Sequence, residues 1–219
     1  MDIHLKEERR VTPETIAALT HELGRRNIEC VYCETSDAAR ELVLSRIPPE
    51  ATVMDGGSET LKQIGVFSAL KSGPYHFLRP KVAAENHPVA RVSARRRAAI
   101  ADIVVGGINA ITVAGEIVNV DGSGNRLAAY AYGAGKLILV AGVNKIVPDM
   151  NAAFERLRNV AARDECRHLG VGTPCAVTGK CDNTACRGRE RQCGKVLIIE
   201  NEKIVGRISV VLIGESLGY

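Results

Sequence analysis

Tryptophan is absent from this 219-residue chain, and the three Phe and five Tyr are scattered rather than grouped. A surface that stacks nucleic-acid bases needs clustered rings, so nucleic acid is not an expected partner. Charge of one sign is scarce as well. The 29 basic and 25 acidic residues leave a net +4, too little to impose a polyanionic partner by long-range attraction alone. No run of 18 apolar residues occurs, which excludes a bilayer-spanning helix. Residues 1–10 are charged and lack an apolar stretch before a small-residue cleavage site, so no secretory signal is visible and the cytoplasm is the expected compartment. His4, His21, His76, His87 and His168 are dispersed, with no chelating pair and no adjacent nucleophile signature, and a hydrolase triad has no support.

What remains is a chain with 46% hydrophobic residues, enough to fill a core. Thr12-Pro13 reads as a helix start, with Ile16, Leu19 and Leu23 at helical spacing. A strand is expected over 28–32, a helix from Ser36-Asp37 until Pro48-Pro49, and a strand at Thr52-Val53-Met54 leading through glycines to a helix capped by Ser58. An irregular stretch from 73 to 88 precedes an arginine-rich helix and the β-branched strand 102–105. A hairpin over 111–120, a strongly apolar strand at 136–141, a helix from Pro148-Asp149 and closing strands at 196–200 and 208–213 complete the pattern. Alternating helices and strands predict an α/β fold, an open and largely parallel sheet flanked by helices. Residues 1–219 read as one domain with a cysteine-rich insertion at 174–194.

Chemistry-bearing residues fall mostly at the predicted strand ends, where open α/β sheets bind ligands. Gly56, Gly57, Ser58 and Thr60 lie between a strand and a helix; their amides can cradle a phosphate or carboxylate, or the segment can be a tight turn before a capped helix. Gly107, Asn109 and Thr112 follow a buried strand. Glu116, at the hairpin turn, becomes a candidate base or nucleophile if burial raises its pKa, and is otherwise an exposed carboxylate. Asn119, Asp121, Asn125 and Arg126 form a polar loop in which Arg126 can clamp an anion. Lys145 is a further anion contact or a solvated lysine.

Seven cysteines are an odd number, against a simple disulfide framework. Cys175, Cys181, Cys186 and Cys193 follow as Cys-x5-Cys-x4-Cys-x6-Cys, which can gather thiolates around zinc or an iron–sulfur cluster, form two disulfides, or stay reduced. Cys30 and Cys33 read as core thiols, because the second falls at a strand end rather than opening a helix. Arg91 to Arg97 and Arg187 to Arg191 are basic clusters of the kind that usually makes a solvated face.

Taken in order, Gly-Gly-Ser-Glu-Thr at 56–60, Gly-Ile-Asn-Ala-Ile-Thr at 107–112, Gly-Glu-Ile-Val-Asn-Val-Asp-Gly-Ser-Gly-Asn-Arg at 115–126, Gly-Val-Asn-Lys-Ile-Val at 142–147 and the terminal Gly-Glu-Ser-Leu-Gly-Tyr resemble the LUD-domain family of lactate-utilisation proteins over nearly the whole chain. Pro174 to Cys181 looks like the cysteine segment of its standalone bacterial branch. The resemblance implies a fold like that of ribose-5-phosphate isomerase, glucosamine-6-phosphate deaminase and CoA transferases. It also implies a role in lactate or related organic-acid use, with an iron–sulfur partner protein. Together these expectations describe a protein that binds a small anionic metabolite at its glycine-rich loops, with a homo-oligomer as a further expectation. The rival readings are an isomerase or CoA-transferase type of enzyme using Glu116, and a redox accessory module built on zinc or an iron–sulfur cluster at the late cysteines.

Overall fold

The computed structural model describes residues 11–219, so the signal-peptide reading of residues 1–10 lies outside the described residues. The chain begins with α1 (Pro13–Arg25), β1 (Glu29–Cys33), α2 (Ser36–Ser45) and β2 (Thr52–Asp55), followed by two short helices, α3 (Glu59–Gln63) and α4 (Val66–Ser72). Next come β3 (His76–Phe77), α5 (Arg79–Ala84), α6 (Pro88–Ala98), β4 (Ile103–Gly107), the hairpin strands β5 (Ala110–Thr112) and β6 (Ile117–Asp121), and α7 (Asn125–Ala128). The last third holds β7 (Lys136–Gly142), β8 (Ile146–Val147), α8 (Met150–Arg156), α9 (Ala162–His168), α10 (Pro174–Thr178), β9 (Lys195–Ile199) and β10 (Ile208–Ile213).

Local chemistry explains several boundaries. Thr12 caps α1 by accepting from the Thr15 amide at 3.3 Å, and Pro13 occupies the first turn, where no amide hydrogen is needed. Thr35 and Asp149 cap α2 and α8 in the same way. Ser58 caps α3, as its position after two glycines predicts.

Six strands form one parallel sheet in the order β1-β10-β7-β4-β2-β3. Its central strands are buried on both faces, so apart from Ser209 and the exposed Lys136 that opens β7 their residues are apolar or glycine. Successive side chains still alternate. Val104, Leu137, Leu139, Val210 and Leu212 meet α1 and Tyr130 on one side, while Ile103, Val105, Ile138, Val140, Val211 and Ile213 pack with residues of α2, α3 and α4 on the other.

The hairpin does not extend this sheet. It joins β8 and β9 in a second, four-stranded sheet of order β8-β5-β6-β9, whose Ala110, Val118, Val120 and Val147 pack on Ala153 and Leu157 of the helix beginning at α8. This second layer and the elements β3 and α5 inside the stretch expected to be irregular are the main departures from the sequence pattern. β3 pairs with β2 through two residues, too few to leave an alternation signal. No helix among the described residues is long and apolar enough to cross a membrane.

Candidate functional site

Three adjacent strands, β2, β4 and β7, end at Asp55, Gly107 and Gly142, and the chain leaving them walls a cleft of about 780 Å³. Helix α6, the loop from β6 into α7, the start of α9, Arg189, Arg191, Gln192 and Tyr219 close the other sides. Parallel strands all deliver their loops to one edge of the sheet, which is why segments far apart in sequence meet here.

Of the residues singled out from sequence, Gly56, Gly57, Ser58, Thr60, Gly107, Asn109, Asp121, Asn125, Arg126 and Lys145 line this cleft. Thr112, Glu116 and Asn119 do not. Glu116 stands in the β5–β6 turn, where its carboxylate accepts the Thr112 hydroxyl and its amide donates back to the same oxygen at 3.1 Å. The turn is the end of the hairpin opposite to Asn109 and Asp121, and it lies against the end of α1, where Arg26 Nε donates to the Ala114 carbonyl at 2.9 Å. Asn119 is fully buried. Its Oδ1 accepts the Asn109 amide at 3.1 Å, and its Nδ2 has no hydrogen-bond partner.

The glycine loop also works differently from the amide cradle its sequence suggests. The Gly56 amide is spent on the Val105 carbonyl at 2.8 Å and the Gly57 amide on Asp55 Oδ2 at 2.9 Å. Close approach is what the glycines provide. A Cβ on Gly56 would fall 2.7 Å from the Tyr130 hydroxyl, and one on Gly107 would fall 2.6 Å from Ser58 Oγ. Tyr130 is fully buried, donates to the Gly107 carbonyl at 3.2 Å, and has its phenol pushed up to about 12 by burial.

Guanidinium groups dominate the cleft. Arg79, Arg91, Arg95, Arg126, Arg189, Arg191 and Lys145 face four carboxylates, those of Asp55, Glu59, Asp121 and Glu165. Asp55, buried at the end of β2, pairs with Arg79 Nε. Arg126 is held from three sides: Asp121 at 3.5 Å, Asn109 Oδ1 at 3.2 Å, and the Tyr130 ring with its centroid 5.8 Å away. It also donates to the Val120 carbonyl. Arg191 bonds the Cys186 carbonyl and Asn183, yet its Nε is buried without a hydrogen-bond partner. Arg91 and Arg95 come from the first basic cluster and Arg189 and Arg191 from the second, both expected to be solvated. The spacing of Arg91 and Arg95, one helical turn apart, was the available signal for a shared face.

Lys145 lies on the turn after β7, 1% exposed, with Nζ donating to the main-chain oxygen of Tyr219. Burial, reinforced by the nearby Arg156 guanidinium and opposed by Asp164, brings its pKa down to about 7. Arg156 is itself lowered to about 10 by burial, and it reaches the carbonyls of Asn109 and Asn144 at 2.7 and 3.1 Å. Residues 217–219 strap over this corner: Leu217 N bonds Asn144 Oδ1 at 3.1 Å, and the Tyr219 hydroxyl donates to Glu165 at 2.5 Å. Burial, and after it the bonded Glu165 carboxylate with Glu59 and Asp164 nearby, pushes the Tyr219 phenol above its ordinary range.

All seven cysteines are free thiols. Cys166 contacts Cys175, whose sulfur lies 3.4 Å from the Thr173 hydroxyl, and Cys181, Cys186 and Cys193 interact electrostatically with one another. Burial is the main cause that raises the thiols of Cys166, Cys181 and Cys186. Among the described residues no three His, Cys, Asp or Glu side chains are placed to hold a metal ion. Cys175, Cys181, Cys186 and Cys193 nonetheless occupy one region, since Cys175 and Cys193 both bear electrostatically on Cys181 and Cys186. Cys30 and Cys33 sit three apart on β1 and join opposite cores, as core thiols do.

A family model, the LUD domain, matches residues 16–213. The chain belongs to the LUD domain family. Membership ties this LUD-domain protein to lactate utilisation. Among solved structures, a DUF162 family protein from Deinococcus radiodurans is similar over 92% of this chain and 97% of its own, at 14% identity and a TM-score of 0.49. Ribose 5-phosphate isomerase from Plasmodium falciparum is similar over 52% of each chain, at 14% identity and a TM-score of 0.31. Ribose 5-phosphate isomerase A from Neisseria gonorrhoeae is similar over 63% of this chain and 65% of its own, at 13% identity and a TM-score of 0.33. No curated protein matches the sequence.

Proposed function

We propose that this LUD-domain protein binds a small anionic metabolite, an organic acid or its phosphorylated or CoA-linked relative, in the cleft at the ends of β2, β4 and β7. The observation that carries the reading is the concentration of guanidinium groups there, including the buried Arg191 Nε that lacks a partner. A buried donor left unpaired costs free energy, which a bound carboxylate or phosphate oxygen would recover. Arg126 is the principal clamp, because Asp121, Asn109 and Tyr130 already hold its fork and little rotamer freedom is lost when a guest arrives.

The test is thermal unfolding of the purified protein with lactate, pyruvate, sugar phosphates and acyl-CoA compounds. At about a hundredfold excess over the dissociation constant a ligand adds roughly 2.7 kcal/mol, an upward shift of roughly 5–10 °C for a chain of this size. Arg126→Ala should remove most of that shift. If a folded wild-type protein responds to no member of the panel, or if Arg126→Ala leaves the shift intact, the cleft is not the binding site for such anions.

A further inference from the structure

The arginines of the cleft divide by what neutralises them. Arg79 is paired with Asp55 and Arg126 with Asp121. The other two cleft carboxylates are engaged elsewhere, Glu59 with Lys62 at 3.0 Å and Glu165 with the Tyr219 hydroxyl. Arg91, Arg95, Arg189 and Arg191 therefore have no carboxylate partner among the described residues. Arg91 donates to the main-chain carbonyls of Glu85 and Ala83, and Arg191 to the Cys186 carbonyl and Asn183 Oδ1, all uncharged acceptors. Arg95 and Arg189 have no side-chain partner among the described residues, and Arg191 Nε is buried with its donor unmet. The segment of Arg191 also abuts the loop that carries the Arg126 clamp: a Cβ on Gly122 would fall 2.8 Å from Gln192 Oε1 and 3.2 Å from the Arg191 carbonyl oxygen.

We propose that the guest of this cleft carries a nucleoside polyphosphate group, whose phosphates engage Arg91, Arg95, Arg189 and Arg191. The inference rests on the anion-binding reading above and names its ligand class. Charge is the first reason. Lactate or pyruvate brings one negative charge, which leaves most of this guanidinium excess unanswered, whereas a chain of phosphates brings several and matches the two-pronged geometry of each guanidinium. Size is the second. A cleft of about 780 Å³ is of the volume that encloses drug-sized guests, and the roughly six heavy atoms of lactate leave most of it to water. The walls provide for an uncharged portion as well, since Val82, Ala99, Ile108 and Leu169 line the same space. Two sources share this chemistry, a free nucleotide and the nucleotide handle of coenzyme A.

Isothermal titration of the full chain at low salt, with EDTA to remove divalent cations, tests it with ATP, coenzyme A, inorganic tripolyphosphate, adenosine, lactate and pyruvate. ATP or coenzyme A should bind about tenfold or more tighter than lactate and pyruvate, tripolyphosphate more weakly than the better of the two, and adenosine not measurably. Tighter binding of ATP assigns the free nucleotide, and tighter binding of coenzyme A the carrier. Arg95→Gln combined with Arg189→Gln should weaken that ligand by about tenfold or more; both side chains are exposed, so the variant is expected to fold. Arg97→Gln combined with Arg187→Gln removes the same charge outside the cleft and should change the affinity by less than about twofold. Equal weakening by the two double variants, or tripolyphosphate binding as tightly as ATP and coenzyme A, overturns the proposal. So does tight binding of lactate or pyruvate through Arg126 with no preference for the nucleotides, which leaves anion binding standing. A folded protein that binds none of the probes removes both readings.

Discussion

A methyl group added at Gly106 would land on the Tyr130 hydroxyl, with the ring atoms behind it also too close. Tyr130 is fully buried between the sheet and the helices and has nowhere to retreat. Gly106→Ala is therefore expected to lower stability by about 1–3 kcal/mol, read as a shifted urea midpoint at unchanged slope. Tyr130→Phe in the same background should recover only part of the loss, since the ring atoms remain in the way. Lys145 gives a second prediction at this scale. Its folded-state pKa lies below its unfolded value, so the unfolded chain binds the extra proton between about pH 7 and 10.4. Stability then rises with pH across that window, and the cost of burying the charged amine is fully present below it. Replacing the amine by an apolar side chain of similar length should stabilise the protein at pH 6 by about 1 kcal/mol or more, and by less at pH 10. Denaturant unfolding of Lys145→Met at the two pH values checks both the sign and the difference.

Among the elements, α8 shows how a cap feeds the site. Asp149 accepts the Ala152 amide at 2.8 Å, and the helix it starts carries Arg156 toward Asn109 and Asn144 and then runs through a wider turn, Leu157–Ala161, into α9 with Asp164 and Glu165. Asp149→Ala should cost about 1 kcal/mol. Circular dichroism and a shifted urea midpoint at unchanged slope measure this. Helix α6 is informative for the opposite reason. Its arginines at 91, 95, 96 and 97 read as a charged surface, and the packing turns Arg91 and Arg95 into the cleft. No local rule in the sequence of α6 says which side of that helix meets a binding site.

For the whole molecule, the near balance of charge conceals a local excess. A net +4 over 219 residues is unremarkable, whereas the cleft alone gathers six arginines. Affinity for an anionic guest should therefore fall by several-fold or more when sodium chloride rises from about 0.05 to 0.5 M, because the Debye length shrinks from about 14 to about 4 Å. Isothermal titration at the two salt concentrations tests it, and an unchanged dissociation constant would argue for an uncharged guest.

Short-range chemistry was legible in the chain itself. The caps at Thr12, Ser58 and Asp149, the apolar runs at 103–105, 136–141 and 208–213, and the glycines after β2 and β4 were enough to place most strands and helices and to predict a largely parallel sheet with loops at one edge. These signals act within a few residues of themselves. Only the tertiary structure decided that the hairpin of Glu116 joins a second sheet, that the glycine amides are spent internally, that two arginine clusters converge, and that Lys145 is enclosed beside Arg156. Each of those facts depends on which face an element turns toward partners distant in sequence, and burial, which sets both the guanidinium pairing and the amine's protonation, exists only once those faces have met.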